Sequence, residues 1–223
     1  MAKKANIGLL MNSKLRSVVM NYQELYEPAL LLHGHKCPAM PMGLRLGLAA
    51  LEKLGVDRAK DGQLEALVEI GVDHCATCFA DGVQMATGCT FGKGNIKRLN
   101  LGKWGVTLID KKKMRAVRVS PKAEAMLANK ETDFFQKYRM KGIPASEVPL
   151  EVVQLLVDRI ASAPTDAIFN ISEVFDYTWK EPPHSFDSFV CDLCGELVVE
   201  PYGRILGAQK VCIPCREKAV SKP

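Results

Sequence analysis

The sequence predicts an α+β fold: a mixed core of helices and antiparallel sheet, followed by a small four-cysteine zinc module of treble-clef or ribbon type. Three observations predict it. Apolar side chains recur at helical spacing in some segments and alternate with a period of two in others. These segments follow one another without a repeating strand–helix period, which argues against a doubly wound parallel sheet. From Phe186 onward apolar residues are few and cysteines come in two pairs, the composition of a module that needs a metal because it cannot build a sufficient core.

Residues 15–32 place Leu15, Val18, Val19, Tyr22, Leu25, Tyr26 and Ala29 on or near one helical face. A second helix is predicted over 42–54, closed by Gly55. Residues 63–71 alternate as a strand, with Leu64, Ala66, Val68 and Ile70 on one side. Residues 80–87 read as a helix that stops at Gly88, and strands over 104–110 and 114–120 pair around a lysine turn. Pro121 opens a further helix towards Arg139, and 149–160 makes one more, with Pro164 beyond its end. Adjacent Pro182 and Pro183 favour an extended spacer. We therefore expect a core domain over 14–164, a connector over 165–185 and the zinc module over 186–223.

The paired cysteines are the strongest chemical signal. Cys191 and Cys194, then Cys212 and Cys215, are each separated by two residues, which lets both sulfurs of a pair turn inward on one knuckle. Gly195 permits the positive backbone angle such a turn needs. Four thiolates fill a tetrahedral site, so the expected ion is a structural Zn2+ with no open position for water or substrate. Residues 197–200 and 204–206 flank Pro201-Tyr202-Gly203, which predicts a hairpin between the knuckles, and a short final helix carries Cys215 in its first turn.

Composition narrows the function classes. At 223 residues and 48% hydrophobic content the chain is an ordinary globular protein. Its longest apolar run, near 28–32, is far too short to span a bilayer. No small-residue cleavage site follows the apolar patch at 7–11, so we expect a cytoplasmic protein without membrane contact. Eight cysteines in a reducing compartment argue for metal or redox chemistry rather than disulfides. The net charge of +5 is mild. Its densest run, Lys111 to Lys113 with Arg115, lacks the interleaved aromatics of a base-stacking surface and reads as a solvated hairpin tip, which argues against nucleic acid.

A second cluster of donors lies in the core domain, at His33-Gly34-His35-Lys36-Cys37-Pro38. On an extended backbone, residues 33, 35 and 37 point the same way and deliver two imidazoles and a thiol to one spot. A curled backbone would bring only His35 and Cys37, or one of them, to a common point. Three such donors suit zinc, nickel, copper or iron and leave a coordination position free. Cys75 and Cys78 precede a helix, where the dipole favours a thiolate, and Cys89 follows it. Asp81, one turn beyond Cys78, is placed to steady a histidine ligand or to stay solvated. Cys37 and Asp81 are the candidate catalytic residues. The stretch from Gly88 to Asn95 is one residue short of a phosphate-binding loop and has Gly94 where a magnesium-binding hydroxyl would stand. Nucleotide hydrolysis is not expected; Gly92, Lys93 and Gly94 are candidates to hold an anion.

Taken together these residues resemble the FmdE family, the E-type components of formylmethanofuran dehydrogenase. The resemblance rests on His33-Gly34-His35-x-Cys37-Pro38 leading to Gly43-x-Arg45, on Cys78-x-x-Asp81 with Gln84, and on Thr87-Gly88-Cys89-Thr90-x-Gly92-Lys93-Gly94-Asn95. It covers about 22–119, and the terminal module resembles the treble-clef zinc finger that some members append. Ala39 departs from the glycine that members often carry after Cys-Pro, and His74 and Cys75 are additions to the pattern. The resemblance implies an α+β core that forms a homodimer and a metal or active-site pocket built from the histidine–cysteine motif and the later cysteines, the expected site of a second transition metal. Carried over by position, His35, Cys37 and Cys78 are the first candidate ligands, with His33 and Cys89 next.

The family name refers to a molybdenum or tungsten enzyme that reduces carbon dioxide to a formyl group on a methanofuran carrier. Nothing in this chain resembles a pterin-binding domain or a ferredoxin cysteine run, so it is not expected to perform that redox reaction alone. The leading expectation is an accessory, metal-handling or regulatory component of such an enzyme. The alternative is an enzyme using an open site at His35, Cys37 and Cys78, or Cys37 as nucleophile. A zinc-finger nucleic-acid binder is the third.

Overall fold

The structure, a computed structural model, describes residues 21–73, 75–182 and 184–221. Readings that fall on 7–20, on His74, on Pro183 and on 222–223 lie outside the described residues. The chain forms two compact units that divide between Trp179 and Lys180.

The first unit opens with α1 (Tyr22–His33), which starts at a reciprocal cap: Glu24 N–H donates to the Asn21 side chain, and Asn21 N–H donates to Glu24. It ends at Gly34, whose φ of +93° turns the chain sharply back. Next come α2 (Ala39–Leu54) and, after β1 (Leu64–Val68), α3 (Phe79–Thr87). Both α2 and α3 end on glycines of positive φ, Gly55 and Gly88.

The sheet adds β2 (Ile96–Arg98), β3 (Val106–Asp110), β4 (Arg115–Pro121), β5 (Phe169–Ile171) and β6 (Phe175–Asp176), in the order β2-β1-β3-β4-β5 with β6 also on β4. Only the β1–β2 pair is parallel. The antiparallel β1–β3 and β3–β4 registers align Ala66 with Leu108 and Leu108 with Val117, so one face carries Leu64, Ala66, Val68, Val106, Leu108, Val117 and Val119. That face packs with α2 into a single buried core that includes Leu44, Leu51 and Leu54. On the opposite face Arg118 forks onto buried Glu69 at 2.6 and 2.7 Å, pairing a charge that burial would otherwise make costly.

Three glycines decide how α2 meets α3. A Cβ on Gly82 would stand 2.0 Å from the Met40 carbonyl oxygen, one on Gly43 2.0 Å from that of Phe79, and one on Gly47 2.6 Å from the Ala86 Cβ. The helix backbones touch directly, which no larger residue would allow.

Two expectations for this unit are corrected. The helix from Pro121 towards Arg139 is broken: α4 spans Ala123–Lys130, then a π-helical turn covers Phe134–Tyr138 and a 3-10 turn Arg139–Lys141. Thr132 ends α4 by donating both its N–H and its hydroxyl to the Asn129 carbonyl. After α5 (Leu150–Ser162) and α6 (Thr165–Ile168), the stretch read as connector contributes β5 and β6 to the sheet. Arg45 holds this return, donating to the Ile160 and Ala163 carbonyls at 2.5 and 2.6 Å and to Thr165 Oγ1 at 3.1 Å.

The second unit contains β7 (Ser188–Val190), β8 (Leu197–Val199), β9 (Gly203–Leu206), β10 (Gln209–Cys212) and α7 (Ile213–Val220). Here the predicted hairpin is corrected. Residues flanking Pro201 do not pair with each other; β8 pairs with β7 and β9 with β10. Pro201 lies in a 3-10 turn that leads the chain from one hairpin into the next, and Gly207, at φ +62°, makes the tight reversal instead.

Candidate metal centres

In the second unit the β7–β8 hairpin carries Cys191 and Cys194, and the end of β10 with the first turn of α7 carries Cys212 and Cys215. Gly195 adopts φ +72° and its N–H donates to the Cys191 carbonyl at 2.9 Å, closing the first knuckle. All four Sγ atoms lie within 4.8 Å of one another. Cys194 Sγ and Cys212 Sγ are 3.9 Å apart, close to the edge of about 3.8 Å for a sulfur tetrahedron around zinc. The Cys212 N–H donates to Cys191 Sγ at 3.3 Å. Burial raises the Cys191 pKa, but amide donors from Cys194, Cys212 and Leu193 outweigh it and hold the thiol down at about 6. The quartet could hold a metal ion such as zinc. Among the described residues around it Cys191, Val211 and Cys212 form a small buried cluster, with Phe189, Val198 and Leu206 packed on them.

The core cluster forms by a different route from the extended backbone considered from sequence. His33 is the last residue of α1, and the reversal at Gly34 folds Cys37, just before α2, back beside it. Donor atoms of His33, His35 and Cys37 lie within 4.8 Å of one another. The His33 and His35 rings are 4.3 Å apart, and His33 Nε2 is 3.3 Å from Cys37 Sγ. The close α2–α3 approach adds Cys78, whose Sγ is in hydrogen-bond contact with Cys37 Sγ at 3.5 Å.

Asp81 stands where it orients this cluster. His33 Nδ1–H donates to Asp81 Oδ2 at 2.9 Å, and Asp81 Oδ1 accepts from Gln84, whose own Oε1 accepts the Phe91 N–H. His33 therefore aims Nε2 at the thiols, the carboxylate–histidine arrangement that fixes a ligand's tautomer. The hydrogen bond to Cys37 and then that to Asp81 raise the His33 pKa to about 8. The Cys37 thiol is held well below its ordinary value, first by the hydrogen bond with Cys78 and, against burial, by His33 and the Met40 N–H at the start of α2. Cys78, beside that thiolate, is pushed up.

Cys89 is not brought to this cluster. It is fully buried, with a thiol pushed up to about 11 by burial, and its neighbours are Thr87, Glu65, Lys93 and Lys111. The proposed anion loop is turned onto its own chain. The Thr90 N–H donates to Asn95, the Lys93 N–H to Thr90, the Gly94 N–H to Phe91, and Lys93 Nζ to the Ala59 carbonyl. Gly88 is required for close approach, since a Cβ there would stand 2.3 Å from the Ala59 oxygen.

The sequence gives no sign of a cavity of about 640 Å3 whose wall includes Cys37, Cys75 and Cys78. Residues from α4 and the turns after it complete the wall, and no local motif marks them.

The first unit is thus an α+β domain with a histidine–cysteine cluster at its helix junction, and the second a four-cysteine module. The sequence profile of the FmdE family, described as molybdenum formylmethanofuran dehydrogenase operon, matches residues 32–170, and the chain belongs to that family. It is similar to the crystal structure of an FmdE-like protein of tungsten formylmethanofuran dehydrogenase from Syntrophus aciditrophicus, with a TM-score of 0.61 and 22% identity over 91% of this chain and 96% of that one. It is also 30% identical over 212 residues to a probable S-adenosyl-L-methionine-binding protein of Archaeoglobus fulgidus. The alignment covers 84% of this chain but spans half the length of that relative. Among the described residues no helix is long and apolar enough to cross a membrane.

Proposed function

We propose that this chain is a cytoplasmic metal-binding protein that serves a larger molybdenum or tungsten enzyme as an accessory, metal-handling or regulatory component. Family membership supports the association, and the core cluster supports the metal role. The observation that carries the reading is the meeting of His33, His35 and Cys37 donors within 4.8 Å, with Cys78 3.5 Å from Cys37. Separations of 3.3 to 3.5 Å between donors fit the edges of a coordination tetrahedron. In this reading His33, His35 and Cys37 hold a second transition metal, Cys78 beside Cys37 is a fourth or exchangeable ligand, and Asp81 orients His33. A bound ion would supply Lewis acidity or a soft coordination position there. The module's zinc is structural.

A homodimer belongs to the same reading. Leu31 and Phe91, 86% and 90% exposed, sit beside His33 in sequence and beside Gln84 in space, where contact with a second copy would shield the cluster.

Metal analysis tests the reading. The purified protein should hold two metal equivalents per chain and Cys37→Ser only one; a single equivalent in both would remove the core site. A second reading, thiol-dependent catalysis, is favoured by the line Cys37–His33–Asp81, which has the order of nucleophile, base and orienting carboxylate. Alkylation of Cys37 in metal-loaded protein separates the two: a ligated thiolate resists the reagent and a free nucleophile reacts.

A further inference from the structure

The cavity beside Cys37 and Cys78 has a volume of about 640 Å3, within the range that takes a small organic molecule. Its wall is built from segments far apart in sequence. Met42, Trp104, Met126, Phe134, Phe135 and Met140 give it aromatic faces and thioether edges, surfaces that favour a flat apolar body by stacking and sulfur–aromatic contact.

Its basic charge comes from one stretch of chain. Among the described residues Lys130 and Arg139 are the basic side chains on the wall and no carboxylate lines it, while the Cys37 thiol, held below its ordinary pKa, lies on the same wall. Arg139 is held in place, since Nη1 donates to the Ile143 carbonyl at 2.6 Å. Lys130 Nζ pairs with no carboxylate among the described residues. A cationic ligand would meet two like charges, whereas an anion would satisfy both.

We propose that this cavity is a binding site for a small organic anion with a planar apolar body, its acid group paired with Lys130 and Arg139 and its body lying along the wall that includes the Cys37 and Cys78 thiols. This goes beyond the metal reading and holds whether or not the core cluster carries an ion.

Calorimetric titration of the full chain with three probes of similar shape tests it: naphthalene-2-acetate, 2-(2-naphthyl)ethanol and 2-(2-naphthyl)ethylammonium. The acetate should bind about threefold or more tightly than the alcohol, the span of a partly exposed ion pair, and the ammonium should bind weakest. Combining Lys130→Gln with Arg139→Gln should erase the preference for the acetate while leaving the alcohol unchanged, and Met126→Trp, which fills the cavity, should weaken all three. Lys130→Gln alone, at an exposed position, keeps the comparison valid should the loss of the Arg139–Ile143 bond unfold the double variant. Equal affinity for the three probes, no binding of any, or acetate binding indifferent to Lys130→Gln would overturn the proposal. Core-site metal content should be the same in these variants as in the wild type, which separates failure here from failure of the metal reading.

Discussion

Cys37 and Cys78 hold their Sγ atoms 3.5 Å apart although they lie 41 positions apart in sequence. Each lies at the start of a helix, α2 and α3, and the two helices touch backbone to backbone through Gly43, Gly47 and Gly82. The thiol pair is a consequence of that contact. Widening the helix spacing by the width of one methyl group would part the sulfurs.

Gly82→Ala should therefore damage stability and site together. Its Cβ would stand 2.0 Å from the Met40 oxygen and 2.4 Å from the Leu44 nitrogen, both backbone atoms that cannot swing away. Overpacking of this kind costs about 1–3 kcal/mol. Thermal melting should show the loss, and metal analysis should show depletion of the core site. Gly92→Ala, where a Cβ meets nothing within 4 Å, should leave both measurements close to wild type.

Asp81→Asn keeps the shape of the side chain but removes the carboxylate that accepts from His33 Nδ1. An orienting partner of a metal-bound histidine is worth about 10- to 100-fold in affinity. Competition against a chromophoric chelator should show a loss of that size at the core site and none at the four-cysteine site.

Alkaline pH should reveal the buried Cys89 thiol. In the unfolded chain it ionises near 9, whereas burial pushes it up to about 11 in the folded protein. Because the folded value is the higher, the neutral thiol's contribution is fully present below pH 9 and is lost as pH rises to 11. The gap of two pH units corresponds to about 3 kcal/mol. Denaturant midpoints measured across that window should fall more steeply for the wild type than for Cys89→Ala; parallel curves would show that Cys89 is not held neutral.

Stripping metal with a strong chelator should unfold the second unit alone. Its buried cluster is too small to stand without an ion, and zinc capture contributes about 10–16 kcal/mol in isolated finger peptides. Amide resonances of 188–220 should collapse to the unfolded range while those of the sheet strands from 64 to 121 stay dispersed.

Much of the fold is legible in the sequence for local reasons. The paired thiols, the helix over 80–87 stopped by Gly88, and the strands on either side of the lysine turn depend on neighbours within a few residues, and each is found. What the sequence hides depends on distant partners. Thr132 breaks α4 through a bond to Asn129 that competes with a plausible helical pattern. Pro201 reads as a hairpin turn, yet β8 and β9 pair outward with β7 and β10. Cys89 carries the same chemical promise as Cys78, but the turn at Gly88 buries it away from the cluster. His33, ranked behind His35 from sequence, gains its position from Asp81, 48 residues on.

Anomalous diffraction from crystals of the metal-loaded protein, collected above and below the absorption edge of each ion found, would locate every bound metal. Two peaks per chain are expected: one among Cys191, Cys194, Cys212 and Cys215, and a second among His33, His35 and Cys37, beside Cys78. A single peak in the terminal module, with the Cys37 and Cys78 sulfurs still in bare hydrogen-bond contact, would mean that the core cluster holds no metal.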